Sequence, residues 1–266
     1  MNTIYLENKK ENVFIKNLIE NKQNFDLQLT NYSTSIILNN KRFIFTNSVM
    51  SKKAFISFSK IKSDINKNNF VFPDKLKTKI FYYSANEKLK NKKFGAYSGV
   101  VNIDINSAYL TVLKNNGIIK KETFEYIQKT SKSDRLKSVG MLATQKICYE
   151  FKNGKETNVF LKSNENLRNI FFLCCYEIDQ ILQKIETILG KSFLFFWFDG
   201  IYFQGNNDKI KKIQELIKNE GFDSKIEFFE WLDYNVNDEN INLCLKKGNK
   251  NKKFIIPLKK ERKKIF

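Results

Sequence analysis

The side chains best placed to do chemistry are two aspartates. Asp199 lies inside FLFFWFDGIYFQG, residues 193–205, where seven of thirteen side chains are aromatic. Asp104 stands near the end of the β-branched run VVNIDI, Val100–Ile105. An ionised carboxylate is costly beside so much apolar surface unless it is paired, hydrogen-bonded or bound to a metal. Two carboxylates on neighbouring strands can share a pair of Mg²⁺ ions, which favour oxygen ligands and complete their shells from phosphate and water. Such a pair can activate an attacking hydroxyl and stabilise a leaving oxygen in phosphoryl transfer. Asp199-Gly200 is equally a hairpin signal, because a type I′ turn needs positive φ at both central residues. The expected strands are Phe193–Phe198 and Ile201–Phe203.

Composition narrows the chemistry. The 266 residues contain no histidine, and Cys148, Cys174, Cys175 and Cys244 show no Cys-x-x-Cys spacing. That argues against a zinc site and against Ser-His or Cys-His nucleophiles. Catalysis would have to rest on carboxylates, lysines, tyrosines or oxygen-held metals. Cys174 and Cys175 fall in an apolar helical pattern and read as core. The net charge of +19 points to a polyanionic partner, with nucleic acid favoured over a membrane surface. Residues 246–266 hold ten Lys/Arg against one Glu; the competing reading is a solvated tail. No apolar run reaches membrane-spanning length, and the polar start MNTIYLENKKENVF lacks the apolar centre of a signal peptide. The expectation is a cytoplasmic protein.

The positioning elements follow from local pattern. Ser35–Thr46 reads as a hairpin around Asn39-Asn40. Lys52–Asn69 is basic and weakly periodic, and Pro73 breaks any helix near it. Val100–Ile105 reads as a strand, followed by a helix capped by Asn106-Ser107 and ending near Asn116-Gly117. A second helix is expected over Asp134–Phe151. Asn166–Leu189 carries apolar residues at helical spacing and stops at Gly190. Asp208–Asn219 reads as an amphipathic helix, and Ile226–Trp231, Asn242–Leu245 and Phe254–Ile256 as strands. The sum is an α+β fold, an antiparallel sheet with helices on one face.

On these residues the chain resembles family B DNA polymerases, especially their protein-primed phage branch. Asp104–Tyr109, DINSAY, is similar to the first palm motif, Asp-x-x-Ser-Leu-Tyr. FFWFDGIYF resembles the third, Tyr-x-Asp-Thr-Asp-Ser/Gly, with its second aspartate on Asp199. Lys137 in KSVGMLATQ falls on the lysine of the second motif, Lys-x-x-x-Asn-Ser-x-Tyr-Gly. Lys252-Lys253-Phe254 resembles the Lys-x-Tyr element that contacts primer, and Tyr83-Ser-Ala85-Asn86 the Tyr-x-Gly-Gly/Ala template element. The resemblance implies metal binding and catalysis by Asp104 and Asp199 with two Mg²⁺, or Mn²⁺ in their place. It implies nucleotide contacts at Ser107, Tyr109 and Lys137, with Tyr109 beneath the sugar excluding a 2′-hydroxyl. It implies nucleic-acid contacts at Tyr83, Lys252, Lys253 and Phe254. The partners would be DNA primer–template and dNTP, with a protein primer or accessory subunit beside them. A phage or other mobile element would be the source, acting in host cytoplasm.

The expected division is residues 1–80 as an N-terminal α+β region, 81–258 as a palm with short helical fingers over about 110–151, and 259–266 as a basic tail. The departures are specific. Trp197 replaces the first aspartate of the third motif, and the Asn-Ser and Tyr-Gly of the second are absent. No ordinary thumb or proofreading exonuclease is evident. Two alternatives stand beside a minimal polymerase: an inactive polymerase-derived nucleic-acid-binding protein, and a reverse transcriptase. The second usually has two adjacent aspartates at the turn, which Asp199-Gly200 lacks.

Overall fold

The structure is a computed structural model that describes residues 2–6, 8–30, 32–46, 51–68, 70 and 82–258. In chain order the elements are β1 (Asn2–Leu6), α1 (Glu11–Glu20), β2 (Phe25–Leu29), β3 (Ser33–Leu38), β4 (Lys41–Thr46) and α2 (Lys52–Lys67). There follow β5 (Tyr83–Ala85), α3 (Glu87–Lys90), β6 (Phe94–Ile105), α4 (Ala108–Asn115), α5 (Lys121–Gln128), α6 (Lys132–Gly140), β7 (Gln145–Lys152) and β8 (Lys155–Ser163). The chain closes with α7 (Glu165–Leu189), β9 (Phe193–Trp197), β10 (Gly200–Gln204), α8 (Asn207–Asn219), β11 (Ser224–Val236), β12 (Asn240–Lys247) and β13 (Lys250–Pro257). The class is α+β. Pro73 and the basic tail 259–266 lie outside the described residues. Among the described residues no helix is long and apolar enough to cross a membrane.

The chain forms two compact units, each discontinuous: residues 1–71 with 117–171, and 72–116 with 172–266. This differs from the division at residue 80 expected from sequence, because 117–171 fold with the N-terminal region. The first unit is built on a six-stranded sheet in the order β1-β4-β3-β2-β7-β8. β1 runs parallel to β4 and the other pairs are antiparallel. Leu18 of α1 and Phe25, Leu27, Ile36 and Phe45 form its buried cluster, with Tyr149 and Phe151 packed against it. Asn39 and Asn40 both have positive φ, as the expected hairpin requires.

One expected element is corrected here. Asp134–Phe151 is not a single helix: α6 ends at Gly140, a short 3₁₀ turn follows at Met141–Ala143, and β7 begins at Gln145. From Gln145 the period is two rather than 3.6. Tyr149 and Phe151 face the apolar cluster while Lys146, Cys148 and Glu150 take the other face. β2 and β8 pair with β7 on either side, so tertiary pairing overrides the weak helical pattern. The β7–β8 turn is Asn153-Gly154, both at positive φ. The expected short helical fingers over 110–151 therefore consist of the end of α4, then α5, α6 and a strand of the first sheet.

The second unit holds a seven-stranded antiparallel sheet in the order β13-β12-β11-β6-β10-β9-β5. β6 is central, flanked by β11 and β10. Its side chains alternate: Ile103 and Ile105 point to one face with Ile201 and Phe203, all essentially inaccessible. Asn102 and Asp104 point to the other. α7 runs as an uninterrupted helix and the chain leaves it at Gly190 with φ of 51°. Within the basic stretch 246–266, Lys246 and Lys247 end β12 and Lys250–Pro257 form β13, so this part is paired in the sheet and the competing reading of a solvated tail does not hold for it.

Candidate active site

Asp104 and Asp199 sit at the ends of adjacent strands of one sheet. In the β6–β10 register Gly200 lies opposite Asp104, and Tyr202 opposite Asn102. The Ile105 N–H donates to the Asp199 carbonyl oxygen at 3.0 Å, which fixes the hairpin turn against the end of β6. The turn is not the one expected. Its central residues are Phe198 and Asp199, and only Phe198 has positive φ, 55°. Gly200 belongs to β10 itself. Its lack of a side chain serves a different purpose: a Cβ there would come within 3.2 Å of Asn102 Oδ1 and 3.4 Å of Asp104 Oδ1. The glycine is the space into which those two oxygens point.

Tyr202 reports the field in this corner. Burial pushes its hydroxyl far above the usual tyrosine range, and the charges of Asp104, Glu227 and Asp199 push it the same way. Both aspartates thus act on one phenol. Lys252 Nζ donates to that hydroxyl at 2.9 Å and lies 5.5 Å and 5.2 Å from the centroids of the Tyr202 and Phe254 rings. Asn102 is buried, and its Oδ1 has no hydrogen-bond partner among the described residues. Leaving such an atom unpaired costs about 1–3 kcal/mol.

Asp104 Oδ1 and Asn102 Oδ1 both face Gly200, and the Asp199 charge acts on the same Tyr202 hydroxyl as that of Asp104; carboxylate and amide oxygens suit a hard divalent cation such as Mg²⁺. Asp104 and Asp199 would hold it, with Asn102 Oδ1 beside Asp104. Among the described residues no group of three or more His, Cys, Asp or Glu side chains forms a closed metal cage. A two-carboxylate site completed by phosphate oxygens does not need one.

The other expected residues fall in three places. Ser107 is at the N-cap of α4 with φ of 48°, a left-handed conformation uncommon for serine, and its side chain makes no capping bond. Ser107 thus takes the expected cap position and the helix starts at Ala108 as read, without a capping bond from the Ser107 side chain. Tyr109, in the first turn of α4, is half-buried; burial foremost raises its hydroxyl, and Cys175 and Asp199 add to the shift. Its hydroxyl and that of Tyr82 donate toward the Cys175 sulfur. Tyr83 pairs with Trp197 across β5–β9 and stacks on it at 5.3 Å. Phe254 meets Trp197, Phe195 and Tyr202 edge-on. Lys253 lies opposite Cys244 in the β12–β13 register. Lys137 belongs to α6 of the first unit. There its charge contributes to holding Asp134 below the usual carboxylate range, an effect due mainly to hydrogen bonds from Ser51 and Ser131.

Sequence reasoning missed Asn102, Tyr202 and Phe198. Phe198 is exposed at the turn beside Asp199, where the edge of Trp197 meets it. A polar Asn102 in a β-branched run, two residues before Asp104 and hence on the same face, was a readable signal. Compared with protein-family models and with curated proteins, the chain matches none.

Proposed function

We propose that the protein is a template-directed DNA polymerase that transfers a nucleotide from dNTP to a primer 3′-hydroxyl, with Asp104 and Asp199 as its catalytic pair. The observation that carries this reading is the juxtaposition at Gly200: the Asp104 strand and the Asp199 turn in register, with an orphaned oxygen aimed at the gap. When bound, divalent metal would supply charge neutralisation on the triphosphate and a more acidic primer hydroxyl.

The chain's own residues have separate tasks. Asp104 and Asp199 concentrate negative charge at the strand ends. α4 starts just after Asp104, with Ser107 left-handed at its N-cap, and there a phosphate would meet a helix N-terminus. Tyr109 follows by little more than one turn and serves as the sugar gate. Tyr83, Trp197 and Phe198, backed by the buried Phe254, make an aromatic wall suited to stacking unpaired bases, a contact worth about 1–3 kcal/mol per base. Lys252, in that wall, is the candidate primer contact.

The test is Mg²⁺-dependent primer extension on DNA and RNA templates, with Asp104→Asn and Asp199→Asn beside the unaltered protein. Extension should be lost by about a hundredfold or more in either variant while both remain folded. Equal extension by all three proteins would overturn the reading. DNA binding without extension in any of them would leave the inactive nucleic-acid-binding protein in its place.

A further inference from the structure

The face of the first sheet turned away from its apolar cluster carries a concentration of positive charge that the proposed reaction does not use. Lys146 on β7 lies directly opposite Lys162 on β8. Like charges placed opposite one another on neighbouring strands destabilise a sheet. Both line a cavity of about 420 Å³ together with Arg42 of β4 and Lys62 of α2. Among the described residues no Asp or Glu lines it; the other polar walls come from hydroxyls and amides, including Ser33, Ser35 and Asn164. Arg42 is fixed in place, its Nε donating to the buried Ser35 Oγ at 2.6 Å. Tyr32, Phe55 and Phe58 form an aromatic side to the same cavity.

The repulsion is felt within the cluster. Burial lowers the Lys146 ammonium below the usual lysine range, and Arg42, Lys62 and Lys162 lower it further. A fold that holds four cations around one concavity, without a carboxylate in its described lining, is poised for an anion. The cavity's size is that of a small-molecule site, and its aromatic side suits a base.

The geometry points to a second nucleotide site in this cavity, in which Arg42, Lys62, Lys146 and Lys162 hold phosphate and the aromatic side chains receive the base. Two sources offer that chemistry: a free nucleoside triphosphate, and the 5′-phosphorylated end of a strand. The site lies wholly within the first unit and does not depend on the transferase reading.

The test measures binding in EDTA at physiological salt, which removes metal-assisted binding at the aspartates. The probes are dATP, inorganic triphosphate, and short oligothymidylate with and without a 5′-phosphate. The proteins are the full chain, Lys146→Met/Lys162→Met, and Lys211→Met/Lys218→Met. The last takes the same charge from exposed positions on α8. The first pair should weaken phosphate-probe binding about tenfold or more and the control pair less than about twofold. The first pair should also raise the ligand-free Tm, since it removes a like-charge contact. Preference for dATP assigns the free nucleotide, and preference for the phosphorylated oligonucleotide assigns the strand end. Lys62→Gln, on the surface of α2, gives a second reading with minimal disturbance of the sheet. The proposal fails if no phosphate probe binds the full chain, or if both pairs bind every probe alike.

Discussion

Lys252 donates a 2.9 Å hydrogen bond to the hydroxyl of Tyr202, fifty residues earlier in the chain. That bond ties the β12–β13 hairpin to the strand that follows Asp199. A charged donor to a buried hydroxyl is worth about 1.5–3 kcal/mol. Lys252→Met keeps the stem but loses the bond and the charge. It should lower stability within that range and weaken primer binding. Tyr202→Phe should reproduce the stability loss but leave the charge available to nucleic acid. The check is a double-mutant cycle read by both denaturation and duplex affinity. Matching affinity losses in the two single variants would remove Lys252 from the primer interface.

Gly200→Ala tests the space in front of Asp104. The new methyl would press on Asn102 Oδ1 at 3.2 Å, which must give by a few tenths of an ångström, and would reach Asp104 Oδ1 at 3.4 Å, where ordinary contact begins. Overpacking of this kind costs about 1–3 kcal/mol. Extension should suffer more than stability, because the displaced Asn102 oxygen shares its face of β6 with Asp104, the proposed catalytic carboxylate. Full extension with a lowered Tm in the Gly200→Ala variant would make the glycine structural only.

Asp104 and Asp199 were legible as candidates because each interrupts or ends an apolar strand, and a misplaced polar residue is visible without a fold. Tyr109 stood out only through the motif resemblance of DINSAY, and α7 was clear because nine apolar positions recur over its length. The turn chemistry was read less well. Asp199-Gly200 carries the type I′ signature, yet the turn centres one residue earlier, since Gly200 is needed flat against Asp104. The pairing Asn153-Gly154, with the same signature, has positive φ at both residues, but it follows the stretch read as a helix to Phe151 and was not read as a turn. The division into two units was not legible. It depends on β7 pairing with β2, residues more than a hundred positions apart, and no local pattern records that.

Tyr109 separates ring from hydroxyl. Tyr109→Val removes both, and should raise ribonucleotide relative to deoxyribonucleotide incorporation if the ring is the gate. Tyr109→Phe keeps the ring and removes the hydroxyl with its donation toward Cys175. It should keep sugar selectivity while costing about 1 kcal/mol of stability. Competitive extension with paired ribo- and deoxyribonucleotides gives the ratio. Identical ratios in all three proteins would assign Tyr109 to the core alone.

Alkaline pH should unfold the second unit through a chemically defined set of groups. Burial pushes the Cys175 thiol up to about 12, despite the opposing donation from Tyr82 and Tyr109. Burial likewise raises Cys174, Tyr109 and Tyr202. In the unfolded chain these groups ionise near about 8.5 and 10. Between those values and the raised folded ones the native state holds more protons, so stability falls as pH rises. It is fully present below about pH 8.5 and declines toward pH 12, with each group contributing up to about 1.4 kcal/mol per pH unit. Lys146, lowered in the first unit, works in the opposite direction just below the ordinary lysine range. Cys175→Ala should therefore flatten the fall by about one proton's slope from about pH 8.5 upward, leaving the Cys174 contribution and the later tyrosine phase. Denaturant titrations at half-unit intervals from about pH 8 to 11 measure the slope directly. A Cys175→Ala curve parallel to that of the unaltered protein would mean that the thiol is ionised no later in the folded state than in the unfolded one.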